Sequence, residues 1–278
     1  MKIRITAEST IDIPEELLNK YNIKIIPYSI YLGETLAYDG QISTKEIFDF
    51  VDKNKILPQT GAINEFQYTE FFEENLKDCD AIIHFALSSE ISSACSNAIK
   101  ASQKFNNVFV VDTHSLSTGI ALLAIKARKL AEQGMSAKDI YEQLLLDREK
   151  LQVSFVIDKL DYLKKGGRCS SVMAFGANLL RIHPQIVVKN GKMVSGKKYL
   201  GNFESVIKKY VPDTLKDFPN IDKSLAFITY TTASNESVEF AKNALKHAGF
   251  QEVYNTTAGA TIASHCGPNT FGILYLTV

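Results

Sequence analysis

Ala81-Ile82-Ile83-His84-Phe85-Ala86-Leu87, followed by Ser88-Ser89-Glu90-Ile91-Ser92-Ser93-Ala94-Cys95-Ser96-Asn97-Ala98-Ile99-Lys100, decides the fold class. A short, almost uninterrupted apolar run followed by serines reads as a strand. From Ser92 to Gln103 the apolar positions recur at helical spacing, and Val108 to Asp112 is again strand-like. Strand, helix and strand in this order form the repeating unit of a parallel α/β sheet. The serines between the first strand and the helix also carry chemistry. Serine hydroxyls cap unpaired N–H groups where helices begin, and a helix start with hydroxyls to spare suits an anionic head group. Capping alone accounts for Ser88 and Ser89. Ser92 and Ser93 lie further along and point to an anion-binding mouth.

Outward from this unit, Lys2 to Ala7 reads as a strand, Pro14 to Tyr21 as a short helix opened by Pro14, and Ile23 to Leu32 as one β-rich run. Thr44 to Lys53 and Glu65 to Leu76 are helical by spacing. The clearest amphipathic helices are Ser117 to Gln133 and Ala137 to Leu151, separated by Gly134 as a stop and Ser136 as an N-cap. After Leu151 the texture changes. Val153 to Ile157 is strand-like, Gly166-Gly167 leads to a predicted helix from Val172 to Leu180, and Asn190-Gly191 sits between two apolar arms as a hairpin signal. A helix from Phe203 to Leu215, a strand from Leu225 to Tyr230, a helix from Glu236 to Ala248 and strands around Val253 to Thr256 and Gly272 to Val278 complete the chain. The expected architecture is α/β in two domains. Residues 1–150 form an N-terminal parallel α/β sheet bearing the serine cluster, and residues 151–278 a mixed α/β domain.

With 278 residues and 45% apolar side chains, such a chain buries a substantial core. Lysine plus arginine and aspartate plus glutamate number 31 each, so the overall charge gives no nucleic-acid footprint and no polybasic membrane patch. The four cysteines, Cys79, Cys95, Cys169 and Cys266, are scattered without a Cys-x-x-Cys pair, which suits reduced thiols in a cytosol better than a disulfide framework or a zinc cluster. The N-terminus enters a strand at once, without a signal-peptide pattern, and no window is apolar enough for a bilayer. A soluble cytoplasmic protein, without stable membrane insertion, is expected.

The phosphate-cradling loops Gly-x-Gly-x-x-Gly and Gly-x-x-x-x-Gly-Lys-[Ser/Thr] are missing, as is Gly-x-Ser-x-Gly. His84, His114, His183, His247 and His265 show no metal-ligand spacing, so neither metal nor cofactor is expected. His265 falls in Ala263-Ser264-His265-Cys266-Gly267-Pro268-Asn269, read as a polar turn in which the imidazole is either a hydrogen-bonding site group or a surface residue. Arg168, after a glycine pair that turns the backbone tightly, offers a guanidinium fork to a carboxylate or phosphate, or to a surface ion pair. Thr60, in Pro58-Gln59-Thr60-Gly61-Ala62, is placed on a loop able to enter a sheet-end crevice. Glu8, Asp12 and Asp39 are conceivable catalytic carboxylates, but Asp12 lies just before Pro14, where starting a helix explains it more simply. No catalytic residue is assigned.

Taken in order, these pieces resemble the DegV family of bacterial fatty-acid-binding proteins over essentially the whole chain. Ala7-Glu8-Ser9-Thr10-Ile11-Asp12-Ile13-Pro14 echoes the family's Thr-Asp-Ser-Thr-Ala-Asp-Leu-Pro, and Tyr38-Asp39-Gly40 its Tyr-x-Asp-Gly element. The serine cluster, Tyr162-Leu163-Lys164-Lys165-Gly166-Gly167-Arg168 and Ser264-His265-Cys266-Gly267-Pro268 follow at the expected places. The resemblance implies a long-chain fatty acid buried between two domains. Its carboxylate would be held by Thr60, Ser92, Ser93 and His265, with Arg168 at the junction. It further implies a non-catalytic chain that presents the acyl group to a separate ATP-binding subunit of a fatty acid kinase, in keeping with the missing nucleotide loops. The alternative is an enzyme acting on a small carboxylate or phosphorylated substrate in the interdomain cleft. The family's Thr-Ser-Gln-Pro-Ser is Thr60-Gly61-Ala62-Ile63-Asn64 here, and its final Gly-Pro-Gly is Gly267-Pro268-Asn269.

Overall fold

The computed structural model describes residues 1–168 and 182–278, so Cys169 and the helix expected from Val172 to Leu180 lie outside the described residues. The first half runs β1 (Ile3–Glu8), α1 (Glu15–Lys20), β2 (Ile23–Ile26), β3 (Ser29–Leu32), β4 (Thr35–Tyr38), α2 (Thr44–Asn54), β5 (Gln59–Gly61), α3 (Glu65–Leu76), β6 (Ala81–Ala86), α4 (Ala94–Ser102), β7 (Val108–Asp112), α5 (Thr118–Glu132) and α6 (Ala137–Asp147). The second runs β8 (Leu151–Ile157), α7 (Asp161–Lys165), β9 (Ile182–Lys189), β10 (Lys192–Leu200), α8 (Phe203–Asp217), β11 (Ile221–Tyr230), α9 (Asn235–His247), β12 (Glu252–Thr257), α10 (Ala260–Cys266) and β13 (Thr270–Thr277).

The apolar run that opened the sequence reading is β6. It lies beside β1 in an all-parallel sheet of order β2-β1-β6-β7. Every residue of β1 and of β6 is buried, as expected where helices cover both faces. The second large sheet, β10-β9-β8-β13-β11-β12, is mixed: only β11 and β12 pair in parallel. Its strands alternate strictly. Val153, Phe155, Phe227 and Leu274 face the core shared with the first sheet, while Val156, Ala226, Ile228 and Ile273 face a second core packed with residues of α8 and α9.

Between the two sheets runs α5. Its first eight residues are all buried, a departure from the amphipathic helix that the spacing suggested, because strands pack on it from both sides. Gly119 permits that approach: a Cβ there would stand 2.9 Å from Val153 Cγ2 and 2.2 Å from Ser115 Oγ. The hairpin joining β9 and β10 turns on Asn190 and Gly191, at φ 50° and 77°, the left-handed pair of a type I′ turn. Its tip rests on the serine loop, where Ser88 Oγ donates to the Gly191 carbonyl at 2.8 Å.

Three expectations are corrected. The run from Ile23 to Leu32 is two strands in different sheets, broken at Pro27-Tyr28, since β3 pairs instead with β4 and β5 in a small antiparallel sheet. Thr60 is not on a loop but in β5, opposite Ile30. Helix α4 starts at Ala94 rather than Ser92, because Ser92 N–H closes a turn onto the Ser88 carbonyl at 3.1 Å.

Candidate functional site

Four of the five sequence-derived residues line one cavity: Thr60 from β5, Ser92 from the turn before α4, Arg168 after α7, and His265 from the last turn of α10. The fifth, Ser93, is exposed and is not among the residues lining it. One position further along the helix start than Ser92, it turns away toward solvent. Of the opening serines, then, Ser92 alone faces this cavity, while Ser88 secures the hairpin tip.

His265 ties α10 to the small sheet of the first half. Its Nε2 lies 2.8 Å from Thr60 Oγ1, 205 residues earlier in the chain. Burial, reinforced by the nearby Arg168 charge, pushes the imidazole down to about 4, so it is neutral at physiological pH and offers one N–H and one lone pair. The segment holding it is a helix, not the polar turn expected from the sequence. Seven residues are too few to show a helical period, and the signal that starts α10 comes from far away. Asp39 accepts the N–H groups of Ala260 at 2.9 Å and Thr261 at 3.3 Å, and Asp12 accepts that of Gly259 at 2.8 Å. Asp12 therefore does cap a helix start, but α10 rather than the neighbouring α1.

The Gly166-Gly167 pair has a use that the sequence did not reveal. Gly167 takes φ +74°, and Gly166, in ordinary helical backbone, lies so close to the imidazole that a Cβ would stand 2.4 Å from His265 Nδ1. Gly166→Ala should therefore leave folding nearly intact but push His265 off Thr60. The expected result is at least a tenfold loss of ligand affinity with an unchanged circular dichroism spectrum, and retained affinity would show that the imidazole is not a site group. Arg168 is steered toward the cavity by its own backbone surroundings, with Nη1 donating to the Gly166 carbonyl at 2.6 Å and Nε to the Ile91 carbonyl at 3.4 Å. No carboxylate pairs with it among the described residues, so the guanidinium is the cation of the mouth.

Two hydroxyl-bearing lining residues were not found by sequence reasoning. Tyr28 places its hydroxyl 3.1 Å from Ser92 Oγ. Thr261, one helical turn before His265, has a buried hydroxyl without a hydrogen-bond partner among the described residues. The spacing of four between Thr261 and His265 was the available signal, hidden because the segment was not read as a helix. The cavity encloses about 40 Å³, and a second, apolar one of about 20 Å³ continues from it past Leu116, Ile262 and Cys266, which line both, to Phe155 and Leu274. As packed, this is room for a few water molecules, so a long ligand enters only if the side chains around it spread. A wider cleft of about 780 Å³ opens elsewhere, flanked by Asp12, Asp39, Thr256 and Thr257. The helix N–H groups there are already taken by the two carboxyls, so it has little to offer an anion.

The buried carboxyls make stability depend on pH. Burial, reinforced by Asp39, pushes Asp12 up from 3.8 to about 8, and burial pushes Glu8 up from 4.5 to about 7. Each is protonated in the folded chain where it is ionised in the unfolded one, which lowers stability as pH rises. Between pH 4 and 6.5 the lowered histidines His84 and His265 act in the opposite sense. The uncompensated window is pH 6.5 to 8, where Asp12 alone should cost about 2 kcal/mol at about 1.4 kcal/mol per unit. Urea unfolding at pH 6.5 and 8 should show this fall, reduced by more than half in Asp12→Asn; an equal fall in the variant would assign it elsewhere.

The model of the family described as "Uncharacterised protein, DegV family" matches residues 2–278. The chain is similar to a protein of Thermotoga maritima named fatty acid-binding protein, 27% identical over 98% of this chain and 96% of that one. Among solved structures it resembles a DegV family protein of Thermus thermophilus described for its fatty acid binding, with a TM-score of 0.91, 26% identity and full coverage of both chains. It also resembles a stearic acid-binding protein of Eubacterium ventriosum, with a TM-score of 0.86 and 25% identity over 99% of this chain and 98% of that one.

Proposed function

The chain belongs to the DegV family, and from that premise we propose that it binds one long-chain fatty acid, with the carboxylate at Thr60, Ser92, His265 and Arg168 and the tail directed toward Phe155 and Leu274. The observation that carries this reading is the 2.8 Å contact of Thr60 with His265 at the head of an apolar cavity lying between the two sheets. Hydroxyls and one guanidinium suit a carboxylate, and a neutral imidazole avoids burying a second full charge. Burying about fifteen methylenes at roughly 0.8 kcal/mol each supplies on the order of 12 kcal/mol before the costs of association and of opening the lining. The tail thus gives affinity and the polar mouth gives direction.

We extend the proposal to the division of the chain into domains 1–150 and 151–278 that close on the ligand, and to a role in the cytoplasm as the acyl-presenting partner of a separate ATP-binding kinase subunit. No helix among the described residues is long and apolar enough to cross a membrane. Denaturing extraction of the purified protein followed by mass spectrometry tests the ligand class. A single class of acyl chain at close to one per protein is expected. A phosphorylated or short-chain carboxylate in its place would favour the alternative of an enzyme working in the cleft.

A further inference from the structure

Behind the mouth lies a polar layer deeper than any residue that meets the head group. Glu8, at the end of β1, is completely buried. Its Oε1 accepts from the Tyr68 hydroxyl at 2.5 Å, and its Oε2 accepts from the Leu87 N–H at 2.9 Å, the Tyr28 hydroxyl at 3.1 Å and the Thr10 hydroxyl at 3.4 Å. No lysine or arginine is among these partners. The titratable groups facing it are Tyr28, Tyr68 from α3 and the Cys95 thiol from α4, all held neutral by burial. The His84 ring on β6 packs against Tyr68 and is neutral too. The Tyr28 hydroxyl lies 3.1 Å from Ser92 Oγ, and both residues line the cavity. A hydrogen-bonded chain therefore leads from the buried carboxyl through Tyr28 and Ser92 to the place where the head group sits.

The protons along this chain set its direction. Ser92 Oγ accepts the Ala94 N–H at 3.2 Å, so the hydroxyl has one proton to give. With Glu8 ionised, Tyr28 donates inward to the carboxylate. Ser92 then either donates to Tyr28 and turns away from the ligand, or donates to the ligand and leaves two oxygens facing each other without a proton between them. With Glu8 protonated on Oε2, the carboxyl donates to Tyr28, Tyr28 donates to Ser92, and Ser92 donates to the ligand, so that every contact along the chain holds one proton. We propose that Glu8 and Tyr28 are positioning residues that couple the two charges, so that the anionic head group is bound together with one proton taken up by Glu8. This rests on the reading of the mouth as a carboxylate site. Burial already pushes Glu8 up to about 7, and a negative charge arriving at Ser92 raises it further. Below about 7 the proton is in place before binding. Above it, binding takes a proton from solution and affinity falls by up to about tenfold per pH unit.

Calorimetry of dodecanoate binding at pH 8, in two buffers of different ionisation enthalpy, reads the number of protons taken up. The wild-type chain should take up close to one. Glu8→Gln, uncharged and of the same shape, should take up close to none and bind at pH 8 as the wild type does at pH 6. Tyr28→Phe keeps the carboxyl but cuts the chain, and should take up less than half a proton. Dodecanoate is fully ionised at pH 8 in all three titrations, so its own protonation cancels. Binding by the wild type without proton uptake, or equal uptake by wild type and Glu8→Gln, overturns the coupling while leaving the carboxylate site standing. Failure of dodecanoate to bind the folded wild type overturns both.

Discussion

Replacing Ser92 and His265 together by alanine is expected to weaken fatty-acid binding by about a hundredfold or more, since hydrogen bonds to a charged group contribute about 1.5–3 kcal/mol each. The two residues line the cavity from different halves of the chain, Ser92 from the turn before α4 and His265 from α10. Removing His265 also frees Thr60, whose hydroxyl the imidazole fixes at 2.8 Å. The volume-conserving change Leu116→Met in the apolar lining should shift affinity only a few-fold, because such swaps cost less than about 1.5 kcal/mol. Calorimetry against a monomeric fatty acid compares the two variants directly. Unchanged affinity in the double variant, with the thermal transition preserved, would remove these residues from the site.

Asp39→Ala should have the largest effect on the fold. Its carboxyl accepts the N–H groups of Ala260 and Thr261 and the hydroxyl of Ser9 at 3.0 Å, and it is buried in the joint between the two halves. Truncation leaves three donors without their partner, at about 1–3 kcal/mol for each that stays unpaired, so a loss of about 3–5 kcal/mol in urea unfolding is expected. The loss should fall on α10 first, and with it His265. At temperatures where the variant is still folded, ligand binding should already be gone. Asp39→Asn keeps one acceptor for the Ala260 N–H and should lie between the two. A cost under 1 kcal/mol for Asp39→Ala would mean that α10 starts without help from the N-terminal half.

The contrast between Asp39 and Ser92 explains how much the sequence could tell. Local patterns were legible. The apolar run at Ala81 read as a strand of a parallel sheet, and its burial on both faces explains why it shows no alternation, while Asn190-Gly191 read as a hairpin because both residue types suit left-handed backbone. Thr60, Ser92, Arg168 and His265 were identified one by one from local chemistry and the family resemblance, and they line a common cavity. What stayed hidden was set by partners distant in the chain. Strand β5 exists only by pairing with β3, and α10 is started by carboxyl groups more than two hundred residues away. The first glycine of Gly166-Gly167 looked like turn chemistry, yet its lack of a side chain serves His265 from a separate segment. Tyr28 was read only as part of a β-rich run and Glu8 as one of three conceivable catalytic carboxylates, since nothing nearby in sequence shows that they stand in line behind Ser92.

The measurement that bears most directly on the site is a crystal structure of the chain loaded with ω-bromohexadecanoic acid, with the bromine located by its anomalous signal. The expected density runs from a carboxylate in hydrogen-bond contact with Ser92 and Thr60, past Ile262, to a bromine beside Phe155 and Leu274. Bromine in the wide cleft beside Thr256 and Thr257, or a carboxylate away from His265, would contradict it.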